Sequence, residues 1–239
     1  MTVVRAPVRI TSLRVLHSPH PCDESSLVNT SAQVFPFTVH ICHGSIVGFR
    51  PVSSGHPSAI VNAANTHCLG GGGVDGAISN AGGRNLHHDR LKLPIIRYSS
   101  QGQAVRCPTG SAVLTGPGHY GSLHVPYVIH AVGPDYTEFG DDQLDQADIL
   151  LQSAYSSCLQ CGKEKKMECI AFSLLSAGVY RGKRSLKHVL EIGLGSIIHF
   201  GGFEELKDVF VCAFLQEEVD TLIEITRSQI QGGWIELIK

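Results

Sequence analysis

Residues 60–83 read IVNAANTHCLGGGGVDGAISNAGG. Two asparagines, Asn62 and Asn65, precede four consecutive glycines, Gly70, Gly71, Gly72 and Gly73, which run through Val74 into a lone acid, Asp75. Glycine costs roughly 0.5–1 kcal/mol against alanine in ordered structure, so four together need a compensating use. A backbone without side chains approaches a ligand closely and turns successive N–H groups towards it. A helix opening at Val74 or Asp75 adds its positive end, and the combination is a cradle for phosphate. Asp75 is out of place in such a cradle. At about 5 Å from a phosphate charge, in an effective dielectric near ~20, the repulsion is roughly 3 kcal/mol. The helix terminus offsets only about 0.3–2 kcal/mol of it. Either Asp75 just caps the helix, or it is tolerated for a task such as orienting or deprotonating a water molecule.

Other chemistries fit less well. Gly71, Gly73 and Gly76 match the spacing of a dinucleotide fingerprint. However, residues 65–69 separate the preceding apolar run from the glycines, and no strand leads to an acid for a ribose. No Lys-Ser/Thr follows the glycines, which excludes a Walker A loop. Cys158 and Cys161 form the single CxxC, on a helical stretch and without a second pair, so no metal site and no cofactor is expected. The remaining cysteines sit mostly in apolar runs, as reduced buried thiols do.

The elements that would hold these residues follow from periodicity. Residues 58–64 form a short apolar run, as a strand buried on both faces does. Helices are expected over 74–81 and again over 84–93, the second ended by Pro94. Further strands are expected at 8–16, where alternation suggests a sheet edge, and at 34–42, 111–115, 127–132, 168–175 and 208–214. Helices are expected at 141–162, 185–200 and 217–230. Leu144, Ala147, Leu151, Ala154, Tyr155 and Cys158 mark the apolar face of the first of these. Residues 97–110 read as irregular. Alternating strands and helices imply a layered α/β/α sheet, mostly parallel, with ligands at the carboxyl ends of its strands. A second glycine-bearing loop, Ser176-Ala177-Gly178-Val179-Tyr180, falls at such an end.

Composition limits the alternatives. Of 239 residues 43% are hydrophobic and 17% charged, and the formal net charge is −2. That supports a substantial core and gives no strong nucleic-acid signal. No apolar run is long enough for a membrane helix, so no membrane partner is expected. Arg5, Arg9 and Arg14 precede any acid and faintly resemble a transit peptide, though the alternation over 8–16 reads better as a strand. Asn29-Thr30-Ser31 fits a glycosylation sequon with nothing else to suggest secretion.

Taken together, Ile60-Val-Asn-Ala-Ala-Asn65 and Gly70-Gly-Gly-Gly-Val-Asp-Gly-Ala-Ile78 closely resemble the macrodomain family. In particular they resemble its MacroD-type branch of mono-ADP-ribosyl hydrolases, marked by Asn, six residues, then Gly-Gly-Val-Asp. Gly178-Val179-Tyr180 is similar to the branch's second mark. Thr109-Gly-Ser-Ala-Val-Leu-Thr-Gly116 and Tyr127-Val-Ile-His-Ala-Val-Gly-Pro134 are similar to the family's middle strands.

The resemblance implies a three-layer α/β/α macrodomain over 34–239, with a central mixed, mostly parallel sheet of about six strands. Residues 1–33 would be an extension, an added strand or a tail. It implies a cleft for ADP-ribose in which Asp75 and Asn65 are catalytic. Ser45, Ile46, Asn62, Ala63, Gly70, Gly71, Gly72, Gly73, Val74, Ser176, Ala177, Gly178, Val179, Tyr180 and Phe214 would bind the ligand. Asn65 would hydrogen-bond the distal ribose, Tyr180 would pack over it, and Phe214 would stack on adenine. The activity implied is hydrolysis of the ester between that ribose and a protein Glu or Asp, with O-acetyl-ADP-ribose deacetylation at the same site. The alternatives are a non-catalytic ADP-ribose reader and an ADP-ribose 1″-phosphate phosphatase. The partners are then ADP-ribose and mono-ADP-ribosylated proteins, for a monomer of the cytoplasm, the nucleus or an organelle. Two positions depart from the pattern. Ser45 stands where the family usually carries an Asp for the adenine amino group. Ser79 stands where the branch often has a His.

Overall fold

The computed structural model describes residues 7–15, 35–51, 55–231 and 235–237. The sequon at Asn29 and most of the N-terminal extension lie outside these residues.

The central strands are short apolar runs, and each is sandwiched between helices. In chain order the strands are β1 (Val8–Val15), β2 (Thr38–His43), β3 (Ser58–Ala63), β4 (Arg97–Tyr98), β5 (Ala104–Val105), β6 (Ala112–Thr115), β7 (Tyr127–Ala131), β8 (Cys169–Ser173), β9 (Asp208–Ala213) and β10 (Ile235–Leu237). The helices are α1 (Gly73–Leu91), α2 (Leu144–Glu164), α3 (Leu186–His199) and α4 (Gln216–Gln231). One eight-stranded sheet runs β10-β1-β2-β9-β8-β3-β7-β6. Its middle, β2-β9-β8-β3-β7, is parallel throughout. β6 joins β7 antiparallel, and β1 pairs antiparallel with both β2 and β10. The layered α/β/α fold is the one the alternation implied. The strand expected near the N-terminus is present as β1, but β10 forms that edge of the sheet. Residues 97–110, read as irregular, contain the small β4–β5 ribbon.

Strand periodicity of two sorts the side chains into two cores. Ala59 and Val61 of β3, Ile170 and Phe172 of β8, and Val209 and Val211 of β9 pack under α2, α3 and α4. Ile60, Ala171 and Phe210 point the other way, towards α1 with its Ile78 and Leu86. Asn62 follows Ile60 by two, so its side chain also faces α1.

Helix α1 is broken. Gly83 has φ 60° and ψ −153°, a conformation open to glycine and costly for other residues. The two helical segments read from the sequence meet at this residue. Beside the break, the Ala81 carbonyl accepts a hydrogen bond from Ser122 N at 2.9 Å. Leu86 anchors the second segment and is fully buried; truncation to alanine would cost about 2–5 kcal/mol.

Candidate active site

The floor of the site is set by strand register. Asn62 of β3 is the partner of His130 on β7. Asn62 Nδ2 lies 3.2 Å from His130 Nδ1 and donates to Asp75 Oδ1 at 2.8 Å. His130 Nε2 is 3.0 Å from Thr115 Oγ1, whose hydroxyl donates to the Val128 carbonyl at 3.3 Å. These partners fix the tautomer: Nδ1 accepts from Asn62, and Nε2 carries the hydrogen. A second proton on Nδ1 would face the Asn62 amide hydrogens. Burial first, and then the Arg90 charge, push the His130 pKa well below the usual histidine range. The imidazole is therefore neutral, and it locks the amide that holds Asp75.

Asp75 sits in the first turn of α1, one residue from the expected helix start, and is buried. Its negative charge is met by Arg90, also buried, whose Nη2 stands 3.1 Å from Asp75 Oδ1. Arg90 Nη1 donates to Ser79 Oγ at 2.7 Å, and Ser79 donates to the Asp75 carbonyl at 2.7 Å. Fifteen residues separate Asp75 and Arg90. In a straight helix that is about 22 Å of rise, beyond the reach of an arginine side chain. The break at Gly83 turns the second segment back so that the pair can meet. Burial alone lowers the Arg90 pKa, and the Asp75 carboxylate opposes that shift. Asp75 Oδ2, by contrast, is buried with no hydrogen-bond partner among the described residues.

The glycine loop closes over this carboxylate. Asn65 Oδ1 accepts from His67 N at 3.1 Å and Cys68 N at 3.2 Å, and Asn65 Nδ2 donates to the Gly70 carbonyl at 3.0 Å. One Nδ2 hydrogen is left over. A β-carbon on Gly71 would lie 3.1 Å from Asp75 Oδ2 and 3.2 Å from Asn65 Nδ2. Gly71 thus brings backbone against the two groups expected to do chemistry. Gly73 has φ 54° and open space beyond it.

A cleft of about 460 Å³ crosses the carboxyl ends of the strands and reaches α1 at Gly73 and Val74, next in the chain to Asp75, which does not itself line it. Ser45, Ile46, Gly73, Val74, Ala177, Gly178 and Phe214 line it, so seven expected residues from four chain segments converge on one cavity. Phe214 is 68% exposed beyond the end of β9, not a core residue. Ser176 is buried with φ 53°, its hydroxyl donating to the Pro134 carbonyl at 2.7 Å. Its neighbour Leu175 N donates to Tyr155 Oη of α2 at 3.0 Å, which ties this second loop to the core. Val179 is exposed and Tyr180 half-buried in the turn that follows. Burial raises the Tyr180 pKa, and the charges of Asp135, Glu138 and Asp75 add to it. Asn62 and Asp75 lie buried, while Gly71 and Gly72 are exposed. Among the described residues no three metal-ligating side chains gather in one place.

The family model described as "Macro domain" matches residues 61–187, more than half of the chain. The chain belongs to the Macro domain family. It is 45% identical over 122 residues to a macro domain-containing protein of Caldanaerobacter subterraneus subsp. tengcongensis, covering 51% of this chain and 62% of that one. It is 41% identical over 122 residues to O-acetyl-ADP-ribose deacetylase 1 of Pantoea vagans, covering 51% and 63%. Its backbone is similar to that of the Oceanobacillus iheyensis macrodomain with ADP, with TM-score 0.65, 29% identity, and 82% and 93% of the two chains covered.

Several residues of this macrodomain's site were not anticipated. Arg90 and His130 support Asp75. Glu218 lines the adenine-side end expected of Ser45 and Phe214, with Oε2 accepting from Phe214 N and Leu215 N at 2.9 Å each. Helical spacing could not place Arg90, because the break at Gly83 resets the phase. Glu218 caps the start of α4, and an acid in that first turn was visible in the sequence.

Proposed function

We propose that this macrodomain binds ADP-ribose in the cleft and hydrolyses the ester joining its distal ribose to an acidic side chain of a protein. One observation carries the reading: Asp75 Oδ1 is held by Asn62 and Arg90, while Oδ2 is unpartnered beside Asn65 and Gly71. A carboxylate so fixed keeps one oxygen in place to orient a water molecule and take its proton. Oδ2 takes a proton from water as the water oxygen bonds to C1″ of the ribose. The bond from C1″ to the side-chain oxygen breaks, leaving a free Glu or Asp carboxylate and ADP-ribose with a hydroxyl at C1″. The proton then passes from Asp75 to solvent.

In this reading the first turn of α1 and the loop with Ala177 and Gly178 flank the pyrophosphate. Asn65 uses its remaining amide hydrogen on the ribose, Tyr180 covers the ribose, and Phe214 stacks on adenine. The deacetylase name of the Pantoea relative and the ADP in the Oceanobacillus structure support the same ligand class. Esters of acetate, such as O-acetyl-ADP-ribose, would then be cleaved in the same cleft. Ser45 favours a second reading, a reader, only in so far as it weakens adenine contact. The other departure, Ser79, is accounted for by its bond to Arg90.

The test is release of ADP-ribose from a protein carrying it on glutamate, run beside calorimetry with free ADP-ribose. Release supports the hydrolase. Binding without release assigns a reader. Phosphate set free from ADP-ribose 1″-phosphate, with the protein-linked group untouched, assigns the phosphatase.

A further inference from the structure

The guanidinium of Arg90 offers two arms, and only one reaches Asp75. Nη2 takes Oδ1 at 3.1 Å, and Nη1 is drawn off to Ser79 Oγ at 2.7 Å. Arginine often grips a carboxylate through both oxygens, which would occupy Oδ2 as well. Here the serine prevents that. Its single hydrogen goes to the Asp75 carbonyl at 2.7 Å, so its lone pairs face Nη1. The pair is buried, with side-chain exposures of 1% and 4%, so its geometry is set by the protein, with little influence from water.

We infer that Arg90, steered by Ser79, is a positioning residue for Asp75. It pins Oδ1 and leaves Oδ2 for the attacking water. The inference rests on the hydrolase reading above and names the residue that makes that reading work without a histidine at position 79. Arg90 is buried and bonded to Asp75 and Ser79, so it acts through Asp75.

The experiment is steady-state hydrolysis of glutamate-linked ADP-ribosylated protein by wild type, Arg90→Met, Arg90→Lys and Ser79→Ala, with folding checked by circular dichroism. Arg90→Met is expected to lose about 100-fold in kcat with KM held within about threefold. Arg90→Lys, which keeps one arm and the charge, is expected to regain about tenfold of that loss. A merely structural residue would lower the folded fraction, without the selective fall in kcat and its rescue. Wild-type turnover that survives Arg90→Met within about threefold overturns the inference and leaves the hydrolase reading standing. Wild type that binds ADP-ribose but releases nothing overturns the hydrolase reading, and the role of Arg90 falls with it. Should Arg90→Met fail to fold, Ser79→Ala decides: about a tenfold fall in kcat at unchanged KM supports the clamp, and unchanged kcat overturns it.

Discussion

Arg90 Nη2 and Asp75 Oδ1 stand 3.1 Å apart in a buried ion pair that joins the two halves of a broken helix. The pair tolerates burial because each member has a further partner, Asn62 for the acid and Ser79 for the arginine. Removing one member strands the other. Arg90→Ala is expected to cost about 3–5 kcal/mol, whereas pairing Arg90→Met with Asp75→Leu should regain at least half of the loss. Urea unfolding measures both. An Arg90→Ala protein within about 1 kcal/mol of wild type would contradict the pair's role in the fold.

Gly71 separates packing from function. Its φ is not in the left-handed region, so alanine is permitted by the backbone. The added carbon would instead press on Asp75 Oδ2 and Asn65 Nδ2, at 3.1 and 3.2 Å. Gly71→Ala should therefore melt close to wild type yet lose about tenfold or more in turnover. At Gly72 an added β-carbon meets nothing within 4 Å among the described residues, so Gly72→Ala should fold equally well and disturb only ligand binding. Thermal melts, initial rates and ADP-ribose titration together check the contrast. Equal rates for Gly71→Ala and wild type would sink it.

Much of this was legible beforehand, and the limits are physical. The apolar run at 58–64 declared a strand buried on both faces, and its parity turned Asn62 to the same side as Ile60. Two helical segments, 74–81 and 84–93, were read where α1 is broken at Gly83. What could not be read was the angle between those segments, which depends on how Leu86 finds its core and how Ser122 meets Ala81. Arg90 therefore looked like an ordinary helix residue. His130 was hidden for another reason: its contact with Asn62 requires β3 and β7 to be neighbours, although dozens of residues separate them in the chain. The sheet edge was misjudged because β10 pairs with β1 from the far end of the chain.

Tyr155 links the α2 core to the loop on the other side of the cleft. Its hydroxyl accepts from Leu175 N at 3.0 Å in a fully buried setting. Tyr155→Phe leaves that N–H without a partner, at a cost of about 1–3 kcal/mol. The loop carrying Ala177 and Gly178 should loosen, and ADP-ribose should bind several-fold more weakly. Calorimetry beside urea unfolding reads both effects. Unchanged stability would show that the hydroxyl does not hold the loop.

His130 makes a pH prediction with a definite sign. Its pKa in the fold lies well below the unfolded value of about 6.5. Below about pH 6.5 the unfolded chain takes up a proton that the folded chain refuses, so stability falls as pH falls. This one group contributes a slope of up to about 1.4 kcal/mol per pH unit there, and essentially none above it. His130→Gln loses this contribution. The stability gap between wild type and the variant should therefore narrow between about pH 7.5 and about pH 5.5. Parallel urea midpoints across that range would contradict a neutral buried imidazole.

The central claim is that Asp75 is the proton acceptor in ester hydrolysis, and one comparison tests it most directly. Wild type and Asp75→Asn are given the same glutamate-linked ADP-ribosylated protein, with ADP-ribose affinity measured on both. Asparagine keeps the shape and a carbonyl oxygen for Arg90 but does not act as a base. The expected result is ADP-ribose release by wild type and a loss of about 100-fold or more in Asp75→Asn, with affinity retained within about threefold. Equal release by the two proteins would contradict the account.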